Sequence, residues 1–250
     1  MNQNATGAPP DSMLTSASLP KSNPTGSADS QSSFYSSPIG KKLLTGITGL
    51  SLVTFVLVHL AGSLTLFFSA QAYNQLAHFI EQLGPLLYFI ELLLLAMVLV
   101  HAVIGFNIYL GKRQARQVAY SEYESAGDPS RQTPASRSMI VSGVLLGVFL
   151  VGHLATFKFG KVYTLPGSEE RDLARLVFEV FHQPVYTAAY VIVLSGLGLH
   201  LRHGIWSAFQ SLGVATKPAA FAASAVLGGA IALGFIGLPL AIYFGLIGVN

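Results

Sequence analysis

Five long apolar segments dominate the chain, at about residues 43–68, 84–111, 139–157, 184–209 and 219–247. A helix needs about 18–20 apolar residues to cross the hydrocarbon core of a bilayer, and each segment has roughly that length or more. The fourth segment is interrupted by Arg202 and His203. The pattern therefore predicts an all-α integral membrane protein with five transmembrane helices.

Two of the connections carry a shorter apolar pattern. In residues 71–83 the apolar positions at helical spacing are Tyr73, Leu76, Ala77 and Ile80. In the connection between the third and fourth segments they are Leu173, Leu176, Val177, Val180 and Phe181. This spacing predicts two short helices that lie in the membrane interface, the alternative being loops with scattered apolar residues.

Composition narrows the class of protein. Hydrophobic residues make up 52% of the chain and charged residues 10%, against about 25% charged in soluble domains. The absence of cysteine excludes disulfides and thiolate-bound metals or iron–sulfur clusters in this chain. The net charge of +3 is too small to indicate nucleic-acid binding. Residues 1–37, rich in Ser, Asn, Pro and Gly, are predicted to form a flexible tail without a signal peptide, followed by one membrane domain over 38–250.

The lysine and arginine residues predict the orientation. Ten fall on one side of the five segments: Lys21, Lys41, Lys42, Lys112, Arg113, Arg116, Arg131, Arg137, Arg202 and Lys217. Four fall on the other side, where acidic residues offset them: Lys158, Lys161, Arg171 and Arg175. Because basic residues are retained in the cytoplasm, the N-terminus is predicted to be cytoplasmic and the C-terminus outside, in a multi-pass protein of the inner (cytoplasmic) membrane.

Each of the first four segments has a histidine within its uninterrupted apolar run: His59, His101, His153 and His200. At about 1.5 Å per residue, His59 and His153 lie roughly 24–25 Å from the basic residues that precede their helices. His101 and His200 lie roughly 17 and 9 Å from the same side. The four histidines thus form an outer pair and an inner pair, at levels separated by roughly 10 Å.

A single histidine in a membrane helix can simply bond a carbonyl or line a water cavity. Two pairs on four helices instead suit two six-coordinate b haems, since each haem needs an imidazole above and below its plane. Small residues follow three of the histidines by one turn and would leave room for a porphyrin: Ser63, Gly105 and Gly204. His153 has Phe157 there, and glycines also serve helix packing. A structural zinc ion would need ligands that converge on one point, which two levels do not provide.

Haem propionates need cationic or hydrogen-bonding partners. Arg202 and His203 are candidates at the inner haem and Lys158 at the outer one, although each could instead extend to lipid headgroups. Glu91, in the outer half of the second segment, is a membrane-embedded carboxylate near the level of the outer pair and a candidate for proton transfer. The alternative for Glu91 is an acid in a solvated first helical turn.

Four stretches of the sequence resemble a known family: TGLSLVTFVLVHLAGS, HAVIGFNIYLGKR, GVFLVGHLATFKF and GLGLHLRHGIWSAFQSLG. They are similar to the di-haem cytochrome b558 subunit of succinate dehydrogenase, the five-helix single-anchor form of succinate:quinone oxidoreductase, over about residues 38–247. The resemblance implies that His59 and His153 ligate the distal haem and that His101 and His200 ligate the proximal haem. In HLRHG it implies that His200, not His203, is the ligand.

The resemblance also implies a function and partners. The family carries electrons between a flavoprotein and an iron–sulfur subunit and a membrane quinone, either menaquinone or ubiquinone. This chain has no dinucleotide fingerprint, P-loop or cysteine cluster, so it is expected to be a non-catalytic subunit whose soluble partners oxidise succinate or reduce fumarate. Basic residues including Lys112, Arg113, Arg116 and Arg137 are a candidate docking face, or simply set the topology. The alternatives are a b-type cytochrome of a hydrogenase or formate dehydrogenase, and a non-redox scaffold or transporter.

Overall fold

The computed structural model describes residues 37–114, 134–214 and 218–248. In these ranges the chain forms eight α-helices: α1 (Pro38–Leu64), α2 (Ala70–Glu81), α3 (Pro85–Gln114), α4 (Pro134–Arg137), α5 (Met139–Phe157), α6 (Leu173–Phe181), α7 (Pro184–Ser211) and α8 (Pro218–Tyr243). Five of them, α1, α3, α5, α7 and α8, are long and apolar enough to cross a membrane. The predicted all-α membrane fold with five spans is confirmed. The predicted tail lies outside the described residues, apart from Ser37.

Local capping groups explain where the ends of the spans differ from the prediction. α1 begins at Pro38 rather than near residue 43, because the Ser37 hydroxyl accepts a hydrogen bond from the Gly40 amide at 3.0 Å. Serine before a first-turn proline is a favourable helix start. α8 ends at Tyr243, and Gly245 beyond it has φ of 67°, a conformation that glycine adopts without strain.

Both predicted short helices, α2 and α6, are present. Side chains cap them: Ser69 accepts from the Ala72 amide at 2.9 Å, and Asp172 accepts from the Arg175 amide at 3.1 Å. However, α6 is not a surface helix, because six of its nine residues are buried. They pack with Leu66, in the turn that follows α1, and with residues of α7 and α8 in the main hydrophobic core. We call α2, residues 158–172 and α6 together the cap, because they close one end of the bundle.

A buried asparagine joins the two helices of the cap. The Asn74 side chain, 5% exposed, donates to Asp172 Oδ1 at 2.8 Å. Its carbonyl oxygen accepts from the Ala174 amide, also at 2.8 Å. A single amide side chain thus satisfies polar groups that lie about a hundred residues further along the chain.

Asn74→Ala is expected to lower the free energy of unfolding by about 1–3 kcal/mol, because it leaves the buried Ala174 amide without an acceptor. Thermal unfolding of the purified protein in detergent would measure the loss. Gln75→Ala is the matched control, since Gln75 is the exposed neighbour on the same helix. Equal unfolding temperatures for the two variants would contradict the role of Asn74.

The spans differ in how closely they pack. α7 and α8 are closest: a Cβ on Gly198 would lie 2.9 Å from the Ala232 Cβ, and one on Gly228 would lie 2.8 Å from the Arg202 amide nitrogen. By contrast, α3 has no buried residue, and Ser142 is the buried residue of α5. Within the described chain, the surfaces of α3 and α5 are therefore largely left for lipid, a bound group or a partner to cover.

Candidate functional site

The four histidines of the spans form two facing pairs. The ring centroids of His59 on α1 and His153 on α5 are 5.8 Å apart, with an interplanar angle of 84°. Those of His101 on α3 and His200 on α7 are 6.3 Å apart, at 68°. The structure therefore brings together the same partners that depth in the sequence pairs. We call His59 and His153 the cap-side pair and His101 and His200 the far pair.

Three helices give the distance between the two levels. On α1, Thr48 is in contact with His101 and precedes His59 by eleven residues; on α5, Ser142 is in contact with His200 and precedes His153 by eleven. On α7, Tyr190 is in contact with His153 and precedes His200 by ten. At about 1.5 Å per residue the levels are about 15–17 Å apart. The separation expected from the sequence, roughly 10 Å, is shorter. That estimate measures depth from residues such as Lys42 and Trp206, which do not lie at one depth: Lys42 lies inside α1, and α7 continues past Trp206.

Hydrogen-bond partners orient both imidazoles of the far pair. His101 Nδ1 lies 3.3 Å from the Thr45 carbonyl oxygen, which can only accept, so this nitrogen carries the hydrogen. His200 Nδ1 lies 3.1 Å from the Ser142 hydroxyl, which is able to accept from the ring while it donates to the Met139 carbonyl at 3.2 Å. With hydrogen on Nδ1, each imidazole keeps the Nε2 lone pair for a metal.

Glycines shape the space around the far pair. A Cβ on Gly49 would lie 3.2 Å from His101 Cε1, and one on Gly143 would lie 3.6 Å from His200 Cε1. These two glycines let the rings lie close to the neighbouring helices. At Gly105 and Gly204, one turn beyond the histidines, an added Cβ would meet no described atom of another element within 4 Å. Open space next to both imidazoles is what a flat ring system bound between them requires.

The cap-side pair has aromatic surroundings. His153 Nδ1 lies 3.1 Å from the Tyr190 hydroxyl, and its ring lies 5.6 Å from Phe149. Phe157, which occupies the position one turn beyond His153, packs at 5.9 Å from Phe181 of the cap. Phe157 is thereby part of the cap core, with Tyr190 also against it at 6.3 Å.

Aromatic rings contact the His59 imidazole. It is stacked on Phe55 at 5.7 Å with an interplanar angle of 8°, and Phe235 of α8 lies 5.6 Å away. The Ser63 hydroxyl, one turn further on, donates to the His59 carbonyl at 2.8 Å. His59 is an exposed residue, so a bound group can approach it.

The charged candidates lie at the two ends of the bundle. Arg202 stacks its guanidinium 5.4 Å from the Phe221 ring, and its Nε is buried without an acceptor in the described chain. His203 is half-buried on α7, and the ring that faces His101 is that of His200. Lys158 and Glu91 form an ion pair with each other across α5 and α3, with 38% and 33% of their side chains exposed. Glu91 is the seventh residue of α3, so it lies beyond the first helical turn.

The number of side chains available as metal ligands distinguishes a zinc site from a haem site. Within the described ranges, no three His, Cys, Asp or Glu side chains converge as metal ligands. A structural zinc site would need four such ligands. Two facing imidazoles suit a metal whose other four ligands come from a macrocycle, and the residues present therefore fit haem.

Sequence reasoning did not single out the groups that hold the imidazoles: the Thr45 carbonyl, Ser142 and Tyr190. Two of them carried a usable signal, because a serine and a tyrosine inside apolar spans need hydrogen-bond partners. Ser142 precedes His153 by eleven residues and Tyr190 precedes His200 by ten, so each lies at the level of the opposite histidine pair. A backbone carbonyl such as that of Thr45 has no sequence signature.

The fold and the site define an all-α membrane protein with two facing histidine pairs. Comparison of the chain with protein-family models, curated proteins and solved structures found no match. Its function is therefore inferred from the geometry of the site and from the sequence motifs.

Proposed function

We propose that the chain binds two b haems, one between His59 and His153 and one between His101 and His200. We further propose that it is the membrane-anchor and electron-transfer subunit of a succinate:quinone oxidoreductase. The observation that supports this most directly is the presence of two facing imidazole pairs at two levels of one bundle. A haem iron held by two imidazoles supplies reversible one-electron chemistry. The choice of this particular complex rests on the resemblance of the sequence motifs to the cytochrome b558 subunit of succinate dehydrogenase.

The chain's own residues would bind, orient and shield the two groups. The Thr45 carbonyl and Ser142 hold the far-pair imidazoles with Nε2 available. Arg202 and His203 lie near the far pair and are candidates for its carboxylates. In this proposal the flavoprotein and iron–sulfur subunits dock at the end of the bundle that carries Lys112, Arg113 and Arg137, whereas Arg116 lies outside the described residues.

A membrane quinone is the proposed second redox partner. Glu91 is the candidate for proton transfer to or from it, since ionisable groups within membrane spans commonly serve proton pathways. Its ion pair with Lys158 keeps a proton acceptor and a proton donor together at the cap end of α3 and α5.

The first test is a count of haem. A dithionite-reduced minus oxidised spectrum of the purified protein, with a pyridine haemochrome assay, should give about two b haems per chain. Co-purification of a flavoprotein and an iron–sulfur subunit would support succinate:quinone oxidoreductase over a b cytochrome of another quinone-linked enzyme. A colourless protein that is well folded would instead favour a scaffold or transporter.

Ser142→Ala is expected to weaken retention of the far-pair haem by about 10–100-fold, because it removes the acceptor that orients His200. Transfer of haem from the purified protein to an apo-acceptor protein would measure the release rate. Ser195→Ala is the matched control, since Ser195 is exposed on the same helix as His200 and donates to the Val191 carbonyl. If both variants release haem at the wild-type rate, Ser142 has no part in holding His200.

A further inference from the structure

Two arginines have a buried side-chain atom without a partner. In the part of the chain that the structure describes, the buried side-chain nitrogen and oxygen atoms that lack a hydrogen bond are Arg171 Nε and Arg202 Nε. Leaving a buried N–H unpaired costs about 1–3 kcal/mol, and more when the group is charged. Each of these atoms therefore marks a place where an acceptor from outside the chain is expected.

The two arginines lie at opposite ends of the bundle, one near each histidine pair. Arg202 follows His200 by two residues on α7. Arg171 belongs to the cap, and its Nη2 donates to the Phe157 carbonyl at 2.7 Å. Phe157 follows His153 by one helical turn, and their rings are 5.2 Å apart. The Arg171 guanidinium is thus about one turn, or ~6 Å along the axis, from the level of the cap-side pair.

The cap holds Arg171 in place through its backbone. Arg171 forms an antiparallel bridge with Thr164. On either side of this bridge, the Leu165 amide donates to the Glu170 carbonyl at 2.9 Å and the Asp172 amide donates to the Tyr163 carbonyl at 2.7 Å. A guanidinium presented from a fixed backbone loses little entropy when it binds an anion.

Arg171 lacks a counter-ion among the described residues. The acidic residues of the cap, and Glu91 of α3, have other partners: Asp172 bonds Asn74, Glu170 pairs with His78, Glu179 with Lys161, and Glu91 with Lys158. In the described ranges no carboxylate forms an ion pair with Arg171. A partly buried guanidinium without a counter-ion is costly, which favours an anion supplied by a ligand.

Tyr73 of α2 is a further hydrogen-bond donor in the cap, and its phenol is sensitive to the charge of Arg171. Burial raises the pKa of the Tyr73 phenol to about 12, and the positive charge of Arg171 opposes part of that rise. The phenol is therefore protonated at neutral pH and can donate a hydrogen bond. Tyr73 is partly buried against the hydrophobic core that includes Phe181 of the cap.

We propose that Arg171, assisted by Tyr73 of the same cap, binds a carboxylate of the group held by His59 and His153, and that this carboxylate is a haem propionate. The inference rests on the proposed function, because it presupposes a haem at the cap-side pair. It moves the anion-binding role at that pair from Lys158 to Arg171, since Lys158 is neutralised by Glu91. Arg171 and Arg202 then have equivalent roles at the two sites.

The test compares variants of the full-length purified protein whose haem content is counted first. Arg171→Gln is expected to lower the midpoint potential of one of the two haems, because loss of a nearby positive charge favours the ferric state. It is also expected to speed release of that haem to an apo-acceptor about tenfold. Arg171→Lys should restore most of the potential, and Tyr73→Phe should speed release without a change of charge. Arg175→Gln is the matched control, since Arg175 is an exposed cap arginine that stacks on Tyr163.

The outcomes separate this inference from the proposed function. Wild-type potentials and release rates in Arg171→Gln, in protein that binds two haems, would overturn the role of Arg171 alone. A shift in Lys158→Gln instead would return the role to Lys158. Loss of co-purifying anionic phospholipid from Arg171→Gln with both haems unchanged would mean that the anion is a lipid phosphate, which also overturns the inference. A wild-type protein without haem would overturn the proposed function itself.

Discussion

His200→Ala is expected to lower the haem content of the purified protein from about two to about one per chain. The reason is geometric: the His200 ring faces His101 at 6.3 Å, and its Nδ1 is held by Ser142. His203→Ala should retain both haems, because His203 is not the ring that faces His101. The pyridine haemochrome assay measures the content, and low-temperature spectra of the reduced protein identify which haem is lost.

Comparing variants of all four histidines tests the pairing more strictly than any single variant does. His101→Ala should remove the same spectral component as His200→Ala, and the double variant should lose no more than either single one. His59→Ala and His153→Ala should both remove the other component. If His101→Ala and His153→Ala removed the same haem, the assignment of pairs would be wrong even if the total remained about two.

Gly160→Ala is expected to destabilise the protein by about 3 kcal/mol or more, the upper range for overpacked positions. A Cβ at this position would lie 2.0 Å from the Thr156 carbonyl oxygen and 2.9 Å from its carbon. These are backbone atoms that cannot rotate away, so the last turn of α5 would have to open. That turn carries Phe157 and Lys158, which link α5 to the cap core and to Glu91.

Thermal unfolding of the membrane protein in detergent would measure the effect of Gly160→Ala. Gly147→Ala, within α5, is the control, since a Cβ there meets no described atom within 4 Å. It should be neutral or stabilising, because alanine favours a helix over glycine by about 1 kcal/mol. Similar unfolding temperatures for the two variants would show that the end of α5 can adjust.

Much of the fold could be predicted because membrane spans are specified locally. Each span is a continuous apolar run that satisfies its own backbone hydrogen bonds, so length and composition identify it. Helix ends are less certain, because they depend on single groups such as Ser37 and Gly245. The burial of α6 could not be predicted from its own nine residues, since the residues that cover it include residues of α7 and α8 and Leu66 in the turn after α1.

The site was predictable to the level of which histidines share a depth. A rise of about 1.5 Å per residue converts sequence position into depth, so His59 falls beside His153 and His101 beside His200. Contacts across helices are different, because they depend on rotation about each helix axis. The approach of His101 to Gly49 and the ion pair of Lys158 with Glu91 are of this kind. The roles of the charged residues therefore remain predictions, and the variants above test those of Arg171 and Lys158.

The order of the helices along the chain means that the two histidine pairs are completed at different stages of synthesis. The cap-side pair is supplied by α1 and α5, so both of its histidines have been made once the third span leaves the ribosome. The far pair needs His200, which is made only with α7. The Asn74 contacts of the cap also use residues that precede α7. Because N-terminal parts of a chain emerge first, the fourth span is the step that completes the second pair and brings Tyr190 to the first.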